Sequence, residues 1–206
     1  MPSDITEIAI EESLKRTYRP GKTAYVDGYA EMYAGVHLHC AAVLIPLARW
    51  DDEWHLVFTR RTEAVEHHKG QVSFPGGGCE IGESTPEQTA LREAEEEIGL
   101  KPGNVRLLGR LNDILTITHF RVTPVVGIVS WPFDIHLEPA EVERIFSIPL
   151  FWLANPENWD EKNVSPSGVT RSFPVIYYHS YDGEILWGAT ARMTQNFLKV
   201  LGLLNR

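Results

Sequence analysis

Residues 86–100, PEQTALREAEEEIGL, restrict what this chain can fold into more than any other stretch. Ala90, Leu91, Ala94 and Ile98 recur at helical spacing and gather on one face. Glu93, Glu96 and Glu97 stand at i, i+3 and i+4, so they form a separate carboxylate face, while Glu95 points elsewhere. The helix is punctuated at both ends. Thr85 is a good N-cap, Pro86 fits the first helical position and Gln88 completes a capping box. Gly99 is a good C-terminal stop. Like charges at i, i+4 cost a helix about 0.2–0.5 kcal/mol per pair. A solvated acidic surface is the ordinary reading of a glutamate run. Here, however, Gly76, Gly77 and Gly78 precede the helix closely, and glycine lets backbone approach a ligand. Carboxylates with a backbone carbonyl make a hard oxygen set suited to Mg²⁺ or Mn²⁺, ions that bridge diphosphate oxygens.

Strands and helices are mixed around this element without regular βαβ alternation. Residues 6–17 predict an amphipathic helix with Ile10 and Leu14 inward, closed by Pro20. Residues 40–47, CAAVLIPL, predict a buried strand, and 55–61 its partner across a turn at 49–53. VSFPGGG (72–78) predicts a short strand entering a glycine loop. Further strands are expected at 105–111, 121–129 and 173–179, a helix at 139–146, and a polar loop at 157–172. A last helix spans 188–202, with Met193, Phe197 and Leu201 toward the core. The sum is a mixed sheet with helices on both faces. No linker or repeat divides residues 1–206, so one domain is expected, with 1–35 as an N-terminal helix and irregular extension.

A formal net charge of −9 argues against a nucleic-acid partner, which would call for a basic face. It leaves room for a small anionic substrate, because a bound cation reverses the local charge. Two cysteines, Cys40 and Cys79, give no disulfide framework and no zinc spacing, and are expected as free thiols in a reducing compartment. No signal peptide or membrane-spanning run is visible, so no membrane partner and a cytoplasmic location are expected.

The segment GGGCEIGESTPEQTALREAEEEIGL (76–100) resembles a Nudix box. That pattern is a glycine, five residues, a glutamate, seven residues, then Arg-Glu-apolar-x-Glu-Glu-x-Gly-apolar. Gly77, Glu83, Arg92, Glu93, Ala94, Glu96, Glu97, Gly99 and Leu100 fit it. Eight residues, not seven, separate Glu83 from Arg92, and the extra one falls in the loop before Thr85. The resemblance implies a Nudix fold, a mixed β-sheet sandwiched between α-helices. It implies metal ligands in Glu93, Glu96, Glu97 and the carbonyl of Gly77, with Arg92 orienting a glutamate by a salt bridge. It also implies a glutamate outside the box as general base. Glu141 and Glu143 are the candidates, Glu141 preferred.

The stretch LVFTRRTEAVEHHKGQVSFPGG (56–77) further resembles the coenzyme A diphosphatase branch of that family. Thr59, Arg61, His68, Gly70, Gln71, Val72, Phe74, Pro75, Gly76 and Gly77 fit in register. This implies substrate-binding roles for Arg61, His68, Gln71, Phe74 and Gly76. The expected reaction is metal-dependent hydrolysis of coenzyme A to 3′,5′-ADP and 4′-phosphopantetheine. Glu66 stands where the branch carries arginine, which reverses a charge that Arg60, Arg61 or Lys69 would have to replace. ADP-ribose or another nucleotide diphosphate is the alternative substrate. A catalytically silent binding module is a further reading, against which the intact Glu93, Glu96 and Glu97 speak. Dimers are common in the family, which makes a homodimer an expectation.

Overall fold

The fold is organised by a 12-residue strand, β1 (His39–Trp50), in a computed structural model that describes residues 5–24, 33, 35–63, 70–165 and 172–204. Residues 41–48 are apolar, almost all of them buried, because the strand has neighbours on both edges and layers on both faces. On one edge it turns through Asp51 and Asp52 into antiparallel β2 (Glu53–Arg61). Both aspartates have positive φ, 50° and 60°, as a two-residue hairpin turn of primed twist requires. On the other edge β7 (Phe120–Val129) runs parallel, in register from His39↔Phe120 to Leu47↔Ile128. Beyond it lies antiparallel β5 (Val105–Arg110), and short β6 (Ile114–Leu115) also pairs with β7. The expected fold class, a mixed sheet between helices, is what the structure has.

Past the hairpin, β2 leaves β1 and takes β3 (Val72–Ser73) on one side and β8 (Val142–Pro149) on the other. The vacated edge of β1 is filled by β4 (Gly76–Gly78), paired Ala41↔Gly78 to Val43↔Gly76. The three glycines expected as a loop are therefore a strand laid along β1. A Cβ at Gly76 would lie 2.5 Å from the Ala42 carbonyl oxygen and 2.6 Å from Val43 Cα, so the backbones touch where only glycine fits.

Helices cover both faces. Helix α2 (Pro86–Ile98) packs Ala90, Ala94 and Ile98 against Ala42, Leu44 and Val125. The opposite face, with Ile45, Leu56, Phe58 and Val126, receives α1 (Glu7–Thr17), α3 (Leu150–Ala154) and α4 (Gly188–Val200). Ile10 and Leu14 are buried as expected, and so are Met193 and Phe197. Helix α1 also ties the hairpin down, since Trp54 Nε1 donates to the Ile5 carbonyl at 2.7 Å.

Three further expectations need correction. Residues 139–146 are not helical: β8 begins at Val142 and pairs with β2. The register jumps from Arg60↔Arg144 to Arg61↔Val142, which leaves Glu143 as an extra residue, a β-bulge. The three-residue spacing of Val142 and Ile145, which looks helical in sequence, is one strand step plus that bulge. Residues 157–172 are not all loop: β9 (Trp159–Val164) pairs along its whole length with β10 (Phe173–Tyr178). Asp160 to Asn163 are polar because they are exposed, not because the backbone is irregular. Finally, Cys40 and Cys79 are joined, with Cα atoms 5.4 Å apart, and Cys79 N donates to the Cys40 carbonyl at 3.0 Å. Two cysteines 39 residues apart become neighbours because β4 lies antiparallel on β1.

The N-terminal punctuation of α2 is present in full. Thr85 accepts from Gln88 N, and the Gln88 side chain accepts from the Thr85 backbone at 3.2 Å. Thr85→Ala removes one half of this box and should cost about 1 kcal/mol in chemical denaturation. An unchanged midpoint would show that packing alone holds the helix start.

Candidate active site

Glu97 lies on the buried side of α2 and is only 3% exposed. One carboxylate oxygen accepts from Gly76 N at 3.3 Å. The other meets Arg61 Nη1 at 3.4 Å. Burial pushes its carboxyl up to about 8, against the pull of Arg61 and with a further push from Glu93 and Glu141. Glu93, one turn earlier, rests against the glycine strand: a Cβ on Gly77 would lie 2.4 Å from its Oε1. Burial also raises the Glu93 carboxyl, opposed by Arg92 and reinforced by Glu96 and Glu141.

Arg92 is the hub of a second, tighter network. Its Nε meets Glu83 at 2.8 Å, and its Nη1 meets Glu96 at 2.9 Å. Its Nη2 reaches the Gly78 carbonyl at 2.9 Å and Glu93 at 3.0 Å. Glu83 is fixed in turn by Thr89 Oγ1 at 2.6 Å and Glu80 N at 2.7 Å. The Arg92 bond holds its carboxyl down to about 2, against burial. The extra residue before Thr85 therefore does not displace Glu83. Thr89 carries no motif letter, but it stands one helical turn before Arg92, and that spacing was the available clue.

The carboxylate face expected from sequence is split. Glu93 and Glu97 turn toward the glycine strand, whereas the Glu96 side chain is 58% exposed on Arg92. The third carboxylate at the site comes from elsewhere: Glu141, just before β8, meets Arg61 Nη2 at 3.3 Å. The bulge sorts the two candidate bases. It sends Glu143 to Arg60 Nε at 3.3 Å and leaves Glu141 beside Arg61.

The residues expected at the substrate fare differently. Arg61 and Gly76 are at the carboxylates. Gln71 is half-buried, and its carbonyl accepts from Arg61 N at 3.0 Å. Phe74 is 2% exposed and stacks on Phe58 at 4.8 Å, a core position with almost no surface left for a ligand. His68, Glu66 and Lys69 lie outside the described residues. Arg60, offered as a replacement charge, is held by Glu63, Glu143 and Glu184.

The donor set fits a divalent cation. Glu93, Glu97 and Glu141 offer hard oxygen donors, and Glu97 is a buried carboxyl with a single guanidinium, at 3.4 Å, to offset its charge when ionised. Among the described residues no three acidic or imidazole side chains converge to ion-binding distance. Arg61 stands between two of the donors. Hard oxygen donors under a backbone strap suit cation-assisted hydrolysis.

Comparison with known proteins gives the class a family. The model of the NUDIX domain matches residues 38–166. An uncharacterized Nudix hydrolase NudL of Yersinia enterocolitica is 34% identical over 80% of this chain and 83% of its own length. NudL of Photorhabdus laumondii is 35% identical over 73% and 79%, and that of Enterobacter 32% over 79% and 83%. The chain belongs to the Nudix family and is a Nudix hydrolase. Divalent cations and nucleotide diphosphates are the general requirements of that family. Among the described residues no helix is long and apolar enough to cross a membrane.

Two outcomes are expected. The Cβ of Gly77→Ala meets first the carboxylate end of the Glu93 side chain and not backbone, so the fold should stay within about 1 kcal/mol of wild type. Turnover should nevertheless fall at least tenfold, because Glu93 is pushed off its place; undiminished turnover would separate Glu93 from the reaction. The second concerns pH. A carboxyl raised from 4.5 to about 8 favours the fold in its protonated form, so its contribution is complete below 4.5 and lost as pH rises through 8. In chelator, melting temperature should therefore fall between pH 5 and 9, and Glu97→Gln should flatten that fall. Glu83 titrates below this window. Parallel profiles for the two proteins would refute the burial argument.

Proposed function

We propose that this hydrolase cleaves the diphosphate bond of coenzyme A or its derivatives, releasing 3′,5′-ADP and 4′-phosphopantetheine. The observation that carries the diphosphate reading is Arg61 between Glu97 and Glu141, with Glu93 one turn from Glu97 and against the glycine strand. The coenzyme A reading rests on the 56–77 motif. Its Thr59, Arg61, Val72 and Phe74 build the β2–β3 wall beside that strand.

Glu93 and Glu97 would hold a divalent cation at the glycine strand. Glu96 acts through Arg92, and Gly77 supplies backbone. Mg²⁺ or Mn²⁺ held there would supply charge neutralisation at the diphosphate and a lowered pKa for a water. Glu141 is the base for the attacking water: it takes the proton as a new P–O bond forms in line and the bridging P–O bond breaks. Arg92 keeps Glu93 against the strand through the step, and the leaving phosphate departs as the second product. Arg61 and Gln71 bind the substrate, and the 56–77 motif gives His68 the same role. The protein works as a homodimer. Disulfides are rare where thiols are kept reduced, so the Cys40–Cys79 pair weighs against the expected cytoplasmic location. ADP-ribose is the second reading, because Glu66 replaces an expected positive charge and Arg60 is already held by three carboxylates.

The test is a panel of coenzyme A, acetyl-coenzyme A, ADP-ribose, NADH and nucleoside triphosphates with Mg²⁺ or Mn²⁺, products identified by mass. Release of 3′,5′-ADP from coenzyme A should outpace the others, and Glu97→Gln should abolish it. Faster cleavage of ADP-ribose would overturn the coenzyme A reading and keep the diphosphatase. Absence of turnover by folded protein on every substrate would point to a binding module.

A further inference from the structure

The two arginines of the site are held in different ways. Arg92 has four partners at 2.8–3.0 Å on all three of its nitrogens. Arg61 has two carboxylates, at 3.3 and 3.4 Å, one on each terminal nitrogen. Neither contact is the short bidentate fork that makes an arginine–carboxylate pair strong. The Arg61 backbone is nonetheless pinned. Its N donates to the Gln71 carbonyl at 3.0 Å, and the next residue, Thr62, donates to the Glu141 carbonyl at 2.9 Å. A fixed backbone thus carries a loosely held charge on a long side chain.

Formal charge also fails to balance locally. Once both are ionised, as cation binding requires, Glu97 and Glu141 set two negative charges against one guanidinium, whereas a divalent cation would match them. We propose that Arg61 is an exchangeable counter-ion: it gives up Glu97 and Glu141 to a divalent cation and turns its guanidinium to the anionic oxygens of the substrate. The inference rests on the diphosphatase reading and deepens it. A guanidinium cannot shed its charge by losing a proton, so once displaced it needs another anion. The diphosphate is the anion that the site brings there. Cation and nucleotide binding are then positively coupled through one side chain, and by linkage each raises the affinity of the other equally. The arrangement also explains why Arg61 belongs to a substrate motif yet rests on the carboxylates. The substrate role is the second of its two positions.

The test uses full-length protein and needs no turnover. Mn²⁺ binding is followed by the electron paramagnetic resonance of the free ion, without nucleotide, for wild type, Arg61→Gln and Arg61→Lys. ADP affinity is then measured with and without saturating Mn²⁺. Arg61→Gln should bind Mn²⁺ more tightly by about 5- to 150-fold, the usual span of a coupling between sites. Its gain in ADP affinity on adding Mn²⁺ should shrink by a similar factor. Arg61→Lys keeps a competing charge, so its Mn²⁺ affinity should stay nearer wild type; that separates lost charge from a damaged fold, as does an unchanged melting temperature. Equal or weaker Mn²⁺ binding by Arg61→Gln overturns the exchange. Tighter Mn²⁺ binding with an undiminished ADP gain overturns the second position. A wild type that binds no Mn²⁺ removes the carboxylate assignment and the exchange with it. Neither readout involves coenzyme A, so a failed coenzyme A reading leaves both intact.

Discussion

Burial of the Glu97 carboxylate is the constraint around which the site is arranged. An ionised carboxylate inside a protein is costly unless it is paired and hydrogen-bonded. Around Glu97 stand one backbone N–H from Gly76, one guanidinium from Arg61, and two further carboxylates nearby. Each neighbour imposes a demand of its own. The N–H requires β4 to lie within reach, which requires β1 to accept a strand so close that only glycine fits at 76. The guanidinium requires β2 to leave β1 and continue beside β8.

Apolar burial secures the helix that carries this charge. Ala90, Ala94 and Ile98 are fully buried against the sheet. Two alanines among them allow close approach, which brings Glu93 and Glu97 down onto the glycine strand. The Arg92 network then fixes the far side of the same turn, tying the loop at Glu80 and Glu83 to the helix. The site is stiff where Arg92 holds it and loose where Arg61 does. That contrast is the useful one in an enzyme that must keep its ligands oriented and still admit a charged substrate.

Much of this was legible in the sequence because it is local. The capping box at Thr85, the stop at Gly99, the buried face of α2 and the pairing of β1 with β2 all depend on residues close together in the chain. What was not legible depends on register. The link between Cys40 and Cys79 follows from which β1 residue faces which glycine. The strand at Val142 was disguised by a bulge that gave it helical spacing. Strand β9 was disguised by exposure, since a ribbon with one wet side has no apolar signature on that side. Among the site residues, Glu93, Glu97 and Arg92 could be placed by helical geometry. Placing Glu141 beside Arg61, and turning Glu96 away onto Arg92, needed tertiary structure. Phe74 shows the opposite failure: a motif position read as a ligand contact is a core side chain.

The bulge at Glu143 does more than choose between two glutamates. Arg60 and Arg61 are consecutive in β2, yet Arg60 joins Glu143, Glu184 and the Arg144 cluster near α4, while Arg61 joins Glu97 on α2. The sheet stands between these two charge systems as an insulating wall. On one side, ions brace the loop before α4 and have no reason to move. On the other, partners can trade places during a catalytic cycle while the bracing set keeps its own. Alternation along β2 turns adjacent arginines to opposite faces, and one surplus residue in β8 gives each its own glutamate, so the pair serves permanence and turnover at the same time.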